Sequence, residues 1–318
     1  MKKVIIIILL LFFMIEFYYN RYNIFCSQCQ SDSNSKCVQC PTEIVFKGLI
    51  IKSNQHTLNE IIKNNKSLSR MGSLEFSIIF GRGFAYQKYH KTLAKRLLEV
   101  LNSKEKNLLI GLNIPYTKKM MSEREIGARN YQKKFLKKNK FKMSKIIDKN
   151  KIYYSALISR FYSVYKDRSN VLQYVNMLKK IWDKRDILII EGEKTRIGIG
   201  NDLLNNAKSI KRIICPNENA FKVYKKILKC SKQHETSTLI LIALGPTAAI
   251  LAYDLSKLNY QAIDIGHMDI EYELFLRKAK GMIKIPNKYV AEIRGGHTNI
   301  LDVTDKNYFK QIVCKILE

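Results

Sequence analysis

Short apolar runs alternate with helical segments through the second half of the chain, and this alternation constrains the fold more than any other feature. The predicted strands are 187–191, 212–215, 238–244 and 261–265. The predicted helices that follow them are 202–207, 219–229, 248–258 and 271–280. Apolar strands that alternate with helices are typical of a parallel sheet that is buried on both faces. The sequence therefore predicts an α/β fold, with a mostly parallel sheet and helices on both faces.

The first half of the chain carries weaker local patterns, which predict further strands and helices. Strands are predicted within 43–52 and at 74–80 and 108–113, and helices at 58–66, 86–101, 122–150 and 173–182. The helical stretch 122–150 is very basic and contains few apolar residues, which predicts a peripheral position. With 318 residues, the chain has room for one large domain.

Polar residues concentrate in three loops, each of which directly follows a predicted strand. The first loop contains Glu191, Glu193, Arg196, Gly200, Asn201 and Asp202, the second Gly245, Pro246 and Thr247, and the third Asp264, His267 and Asp269. Ligands of open α/β sheets bind at the carboxyl ends of the strands. An arginine and a helix N-terminus suit phosphate groups, and the acidic third loop suits a hard divalent cation or a general base. Taken singly, each loop is also explained as an ordinary turn, a helix cap or a structurally satisfied histidine.

Five motifs, in the expected order and spacing, together resemble those of the GT-D fold glycosyltransferases, which have a DUF1792-type domain. The motifs are 70–76, 191–202, 243–248, 253–255 and 264–273. The resemblance covers about residues 56–295 and implies a Rossmann-like α/β domain. It also implies transfer of a sugar from a UDP-sugar donor to a hydroxyl of a glycan or glycoprotein acceptor. A divalent metal, often Mn2+, is implied on the diphosphate of the donor.

The resemblance also implies roles for individual residues. The implied donor-binding residues are Arg70, Gly72, Ser73, Glu75, Glu191, Glu193, Arg196, Gly200, Asn201, Asp202, Gly245, Pro246 and Thr247. The implied metal ligands are Glu75, Asp264, His267 and Asp269. Glu292 is the implied catalytic base, since it lies where the family places a C-terminal catalytic glutamate, and Asp269 is the second candidate.

The donor motif departs from the family pattern at one acidic position. The family motif is Asp-x-Glu, and here the glutamate is Glu75, whereas Ser73 occupies the aspartate position and Leu74 replaces a glycine. A carboxylate binds a metal–diphosphate far better than a hydroxyl does. Two functions therefore remain open. One is an active glycosyltransferase, and the other is a catalytically degenerate relative that binds a glycan or a partner enzyme without turnover.

The N-terminus has the features of a targeting segment. Lys2 and Lys3 precede the apolar run 4–14, and no small-residue cleavage site follows. An uncleaved signal anchor at 1–20 is favoured over a cleaved signal peptide or a buried core helix. This organisation predicts a single-pass membrane protein, with a Cys-containing stalk at 21–55 and a GT-D domain at 56–318 in the secretory (ER/Golgi) lumen or outside the cell.

The stalk contains four of the seven cysteines of the chain. Cys26, Cys29, Cys37 and Cys40 form a C-x2-C-x7-C-x2-C array. In an oxidising lumen, disulfides are favoured over a zinc site, whose usual spacing is longer, and over palmitoylated or free thiols.

The formal net charge is +29, and lysines are dense between Lys118 and Lys151. Such a surface attracts phosphates, acidic glycans, anionic lipid headgroups or nucleic acid without choosing among them. The sequence contains no RNP, KH or zinc-finger pattern, so no specific nucleic-acid partner is expected. A generic solvated basic face and a specific polyanion partner both remain open.

Overall fold

The computed structural model describes residues 41–317, which contain a sheet of nine strands. The strands are β1 Ile50–Ile51, β2 Ser67–Met71, β3 Leu108–Leu112, β4 Ile152–Ser155, β5 Asp186–Gly192, β6 Ser209–Cys215, β7 Leu239–Ala243, β8 Ala262–Asp264 and β9 Ile312–Lys315. Their order across the sheet is β1-β4-β3-β2-β8-β7-β5-β6-β9. Every neighbouring pair is parallel. The prediction of an α/β fold with a mostly parallel sheet is therefore confirmed.

The helices of the described residues lie between the strands. The α-helices are Thr42–Val45, Asn54–Lys63, Ser73–Ile79, Lys91–Leu101, Lys118–Ser122, Ile126–Ile146, Val171–Lys179, Tyr224–Ser231, Pro246–Ser256, Met268–Leu276 and Lys306–Gln311. Two short 3-10 helices are Ala156–Ser159 and Ala220–Val223. The helix and strand boundaries of the second half lie within a few residues of the predicted ones.

The central strands are buried on both faces. Along β5, Ile187 and Ile189 belong to one apolar cluster, and Leu188 and Ile190 belong to another, because successive side chains of a strand point to opposite faces. Helices 54–63, 171–179 and 268–276 complete the first cluster, and helices 224–231 and 246–256 complete the second. Burial on both faces explains why these strands are continuous apolar runs in the sequence.

The chain separates into two compact units. The larger one consists of residues 50–114, 123–125 and 152 onward, and it contains the whole sheet. The smaller one is formed, within the described residues, by 41–49, 115–122 and 126–151. In the smaller unit, the Tyr116 hydroxyl donates to the Leu49 carbonyl at 2.6 Å, and the Lys118 amide donates to Glu43 at 2.6 Å. These contacts join its separate chain segments.

Two predicted elements of the larger unit are wrong. The predicted strand at 74–80 is the helix Ser73–Ile79, and the strand lies earlier, at Ser67–Met71. The predicted helix at 202–207 is a series of turns. In the first case, the Glu75 side chain accepts a hydrogen bond from the Gly72 amide at 2.7 Å, and this contact stabilises a helix start in place of an extended chain.

The predicted single-pass membrane topology, with a luminal or extracellular domain, is contradicted by the structure. Between residues 41 and 317, no helix is both long enough and apolar enough to cross a bilayer. The longest helix, Ile126–Ile146, is rich in lysine. The predicted anchor at 1–20 and the four stalk cysteines, Cys26, Cys29, Cys37 and Cys40, lie outside the described residues. The other three cysteines are free thiols, of which Cys215 and Cys230 are buried and Cys314 is partly buried.

Candidate active site

A cleft in the larger unit lies at the carboxyl ends of the strands, where ligands of parallel sheets bind. Its lining includes Arg70 near the end of β2, Arg160 after β4, Thr195 after β5, Asn217 after β6, Gly245 after β7 and His267 after β8. Six strand ends therefore contribute to a single cleft. Of the predicted site residues, it also brings together Gly72, Ser73, Glu75, Pro246, Asp269 and Glu292.

Arg70 and Asp264 form an ion pair between the two central strands. The Arg70 Nη2 atom donates to Asp264 Oδ1 at 2.8 Å, and its Nη1 atom donates to the Ser159 hydroxyl at 2.7 Å. The pKa of Asp264 is raised by burial, while the Arg70 charge acts in the opposite direction. Gly266 has a φ of +41°, and a Cβ atom there would lie 1.9 Å from Arg70 Nη2. This position therefore requires glycine.

Glu75 occupies the first turn of helix 73–79 and lines the cleft. Its Oε2 atom accepts from the Gly72 amide at 2.7 Å. Burial raises the pKa of Glu75 to about 7, with a further upward contribution from Asp264, and the Gly72 hydrogen bond opposes both. The side chain therefore changes charge near neutral pH, which is a property typical of functional carboxyl groups.

Arg160 connects the cleft to a buried carboxylate. Its Nη1 atom donates to Glu292 Oε2 at 3.2 Å and to Glu271 Oε1 at 3.3 Å. Glu271 is fully buried and accepts from the backbone amides of Tyr162 at 2.8 Å and Ser163 at 2.7 Å. The buried Glu271 carboxylate therefore fixes the Arg160 guanidinium, whose other N–H groups donate to Glu292.

His267 lies on the other side of Glu292. Its Nε2 atom is 3.6 Å from Glu292 Oε1, and its side chain is 25% exposed. Burial, followed by the charges of Arg160 and Arg70, lowers the pKa of His267 well below its ordinary value. The imidazole is therefore neutral at pH 7 and can take part in hydrogen bonds beside the carboxylate, whereas its lowered pKa makes it a weak base.

The start of helix 246–256 forms another part of the cleft wall. Gly245 has a φ of +52° and Pro246 is the first helical residue. A Cβ atom at Gly245 would lie 3.1 Å from the Tyr86 ring. Thr247 is fully buried, and its hydroxyl has no hydrogen-bond partner within residues 41–317. A helix N-terminus of this kind favours anions.

Several residues of the first predicted loop do not line the cleft. Glu191 is fully buried and pairs with Arg212 Nη1 at 2.5 Å. The Arg196 guanidinium is buried and donates to the Asn287 carbonyl at 2.9 Å. Both side chains thus hold loops together inside the protein, away from the surface that a donor would contact. Glu193 contributes a backbone hydrogen bond to Cys215 at 2.9 Å.

The remaining residues of this loop support the third loop. Asn201 Nδ2 donates to Asp269 Oδ1 at 2.9 Å and to Glu273 Oε1 at 2.7 Å, and Gly200 precedes it with a φ of +79°. Asp202 accepts from Lys179 Nζ at 2.7 Å and from the Tyr272 hydroxyl at 2.6 Å. These contacts explain the polar residues at 200–202 without a ligand.

Asp269, the second candidate base, lines the cleft but is held by other groups. Lys288, which is fully buried, donates to its Oδ2 atom at 2.6 Å, and the Gly198 amide donates to Oδ1 at 2.9 Å. Both Asp269 oxygens are therefore engaged inside the protein. Glu292 is paired with Arg160 but is 28% exposed in the cleft, so it is the more accessible of the two candidate bases.

The four predicted metal ligands do not form a cation site in this arrangement. Asp264 is paired with Arg70, and Asp269 is paired with Lys288. Within residues 41–317, no group of three or more His, Cys, Asp and Glu side chains has the geometry of a metal site. The residues present therefore do not fit an Mn2+ ion, and no chemical step below is assigned to one.

Arg160, Asn217 and Tyr86 are among the cleft residues that the sequence did not predict. Arg160 follows β4, a short strand that the sequence patterns did not indicate, although an arginine after a strand is a recognisable signal. Asn217 follows β6, and its Oδ1 atom accepts from the Lys194 amide at 2.8 Å. Tyr86 is the first residue of the predicted helix 86–101, but the helix begins at Lys91 and Tyr86 lies in the irregular segment before it.

Comparisons with known proteins agree with this geometry. A family model described as "Glycosyltransferase GT-D fold" matches residues 68–293. "Probable glycosyl transferase Gly" of Streptococcus gordonii is 36% identical over 272 residues, which are 84% of this chain and 39% of the relative. "Glycosyltransferase GlyD" of Streptococcus pneumoniae serotype 4 (strain ATCC BAA-334 / TIGR4) is 33% identical over 274 residues, which are 84% of this chain and 32% of the relative. The chain thus spans only a third to two fifths of the length of these curated relatives.

Solved structures show the same fold. A domain described as "The highly conserved domain of unknown function 1792 has a distinct glycosyltransferase fold" is similar with a TM-score of 0.82 and 34% identity. The match covers 87% of this chain and 98% of that one. "A New Glycosyltransferase (DUF1792) from Streptococcus sanguinis" is similar with a TM-score of 0.79 and 33% identity, over 84% of this chain and 99% of that one.

Proposed function

This chain belongs to the GT-D fold glycosyltransferase family, and on that premise we propose that it transfers a sugar from a nucleotide-sugar donor, a UDP-sugar, to a hydroxyl of a glycan or glycoprotein acceptor. One observation carries the proposal. The cleft at the carboxyl ends of the strands combines two arginines, a neutral histidine and two carboxyl groups of different roles, Glu75 and Glu292. In glycosyl transfer, the donor diphosphate leaves as an anion and the acceptor hydroxyl loses a proton. Cationic groups can stabilise the leaving anion, and a carboxylate can accept the proton.

The donor diphosphate is assigned to the side of the cleft that contains Arg70 and the helix start at Gly245–Thr247. Arg70 supplies a positive charge, and the amide groups of the first helical turn point towards an anion. Thr247 belongs to the same helix start, but its side chain is fully buried and it is not among the residues that line the cleft. A glycine at 245 leaves the backbone accessible beside the Tyr86 ring.

The chemical step requires a base for the acceptor hydroxyl. In the proposed step, Glu292 accepts the hydroxyl proton, the acceptor oxygen forms a bond to the anomeric carbon, and the bond from that carbon to the donor diphosphate breaks. Arg160 holds the Glu292 carboxylate in position, and the neutral His267 lies 3.6 Å from it. Removal of a general base typically reduces the rate by about 10²- to 10⁴-fold.

A binding protein without turnover is the second candidate function. It is favoured by Ser73 at the acidic position of the donor motif and by the engagement of Asp264 and Asp269 in ion pairs. Both functions predict that the cleft binds a nucleotide or a glycan. They differ in whether the nucleotide-sugar is consumed.

The proposal is tested by calorimetric titration of the full chain with UDP, GDP and their sugars, with and without Mn2+, followed by measurement of UDP release. We expect one UDP-sugar to bind and to release UDP when acceptor glycans are added. Glu292→Gln should bind the donor normally and lose at least about 100-fold in turnover, whereas Glu235→Gln, at an exposed residue outside the cleft, should behave as the unaltered protein. Donor binding without UDP release would favour the second candidate, and no binding at millimolar nucleotide would reject the enzyme and leave the binding protein without turnover.

A further inference from the structure

Helix 126–146 of the smaller unit presents a row of lysines on one face. Its buried residues are Gln132, Leu136, Asn139, Lys140 and Met143. The exposed lysines are Lys133, Lys134, Lys137, Lys138, Lys142 and Lys145. Pairs four residues apart, such as Lys133 and Lys137 or Lys134 and Lys138, are neighbours on a helix surface. The six ammonium groups therefore form one continuous stripe, which we call the lysine stripe.

The lysine stripe has no acidic residue of its own helix to balance it. No Asp or Glu occurs between Ile126 and Ile147. In the described part of the smaller unit, thirteen Lys and Arg residues stand against two acidic residues, Glu43 and Asp148. Like charges four residues apart destabilise a helix, and ordinary solvated helices offset such pairs with glutamates. An arrangement of this kind favours a multivalent anion as a ligand.

We propose that the lysine stripe binds a polyanionic carbohydrate chain, so that the acceptor of this protein carries regularly spaced carboxylate, sulfate or phosphate groups. From Lys133 to Lys145, the stripe spans about 18 Å at 1.5 Å per residue, which is the length of several sugar units. The choice of carbohydrate rests on the proposed function. Charge complementarity with the stripe supports the anionic character of the chain independently of the cleft.

The composition of the stripe favours a carbohydrate over a nucleic acid. Its cations are all lysines, and the only arginine of the helix is Arg129. Lysine acts as a point charge, whereas the recognition of base edges in a nucleic acid favours the bidentate guanidinium group. A row of point charges fits a polymer whose anionic groups repeat. The lysine stripe would bind these groups, and other residues would recognise the sugar rings.

The test measures binding of the full chain to dextran sulfate and to neutral dextran of equal length at two salt concentrations. The altered protein carries Lys133→Gln, Lys134→Gln, Lys137→Gln and Lys138→Gln. The matched control carries the same charge change on exposed lysines of the larger unit, as Lys104→Gln, Lys106→Gln, Lys225→Gln and Lys229→Gln. We expect the stripe variant to lose about tenfold or more in affinity for dextran sulfate and to show a weaker salt dependence, because fewer counterions are released. The control variant should lose about twofold or less.

Equal losses in the two variants would overturn the proposal, because they would show that only net charge matters. Tighter binding of duplex DNA than of dextran sulfate at matched charge, or selective binding of phosphatidylserine vesicles, would replace the carbohydrate with a different partner. UDP-sugar affinity of the stripe variant is measured in parallel. If the stripe variant binds the UDP-sugar normally and has lost polyanion binding, the proposal is supported. If no protein binds a UDP-sugar, the unaltered protein included, the proposed function fails, but the polyanion result still tests the stripe.

Discussion

At the scale of single residues, the charge of the cleft depends on Glu75. Arg70 is neutralised in part by Asp264, so a second carboxylate beside it would make the donor site unfavourable for a diphosphate. Burial raises the pKa of Glu75 to about 7, which means that this carboxyl group is protonated in an appreciable fraction of molecules at neutral pH. The serine at position 73 reduces the negative charge of the same wall further.

The affinity for a UDP-sugar should therefore fall as the pH rises through the pKa of Glu75. The diphosphate of UDP-glucose does not titrate between pH 6 and pH 8. UDP-glucose is expected to bind about fivefold more weakly at pH 8 than at pH 6, which corresponds to roughly 1 kcal/mol of charge repulsion. Glu75→Gln should remove this dependence, since an amide stays neutral. Calorimetry in metal-free buffer checks the prediction, and an affinity that rises with pH would contradict it.

The same pKa determines how the stability of the protein depends on pH. The folded-state pKa of about 7 exceeds the ordinary glutamate pKa of 4.5, so the folded state holds the Glu75 proton more tightly than the unfolded state does. Stability is therefore lost as the pH rises from the unfolded pKa through the folded one. The stabilising effect of Glu75→Gln should accordingly be larger at pH 8 than at pH 5 in denaturant titrations.

Substitution of Glu191 tests whether the polar residues of the first loop have a structural role. Its carboxylate is fully buried against Arg212, so Glu191→Ala leaves a buried guanidinium without its partner. We expect a loss of about 3 to 5 kcal/mol in the free energy of unfolding, as is usual for a broken buried ion pair. Because Glu191 does not line the cleft, the molecules that remain folded should bind UDP-glucose normally. A selective loss of donor affinity at unchanged stability would instead restore its predicted donor-binding role.

At the scale of elements, the sequence predicted the second half of the fold far better than the first. Strands β5 and β7 are buried along almost their whole length, so their apolar runs are unambiguous. In contrast, Leu74, Phe76 and Ile78 alternate with other residues as a strand would, and only the contact from Glu75 to the Gly72 amide explains the helix. Such a contact depends on three-dimensional geometry, which a residue pattern does not contain.

The site was predicted in part for the same reason. Gly245 and His267, which follow strands, lie in the cleft as expected from the topology rule. Arg70 was expected there from the resemblance, since the strand was predicted at 74–80 and not at Ser67–Met71. Arg196 and Asp202 also follow a strand, yet their side chains turn to the Asn287 carbonyl and to Lys179 of helix 171–179. The sequence indicates which loop is near the cleft, but the direction of each side chain depends on neighbours that are distant in the sequence.

The turn between β8 and helix 268–276 offers a test at this scale. In Gly266→Ala, the added methyl group would collide with the Arg70 guanidinium, and the backbone would be strained at a φ of +41°. We expect a clear loss of donor affinity together with a lower melting temperature. Gly281→Ala is the matched control, because a Cβ atom there meets nothing within 4 Å. Unchanged donor binding in Gly266→Ala would show that Arg70 does not contact the donor.

At the scale of the whole molecule, the net charge of +29 opposes the compact state. Salt screens this repulsion, so raising NaCl from about 20 to about 300 mM should increase the melting temperature by about 2 to 4 °C. The four-lysine stripe variant should be more stable than the unaltered protein at low salt and should respond less to added salt. Scanning calorimetry measures both effects, and a melting temperature that falls with salt would argue for stabilising ion pairs instead.

The sheet is assembled from two consecutive stretches of the chain that meet at one seam. Strands β1 to β4 form one side, strands β5 to β9 form the other, and β2 pairs with β8 where they join. The ion pair between Arg70 and Asp264 crosses this seam. During synthesis on the ribosome, the donor site therefore has only one wall until the second stretch has emerged. A gene cut between β4 and β5 would encode two fragments, neither of which contains a complete donor site, so that recovery of donor binding on mixing would report their reassociation.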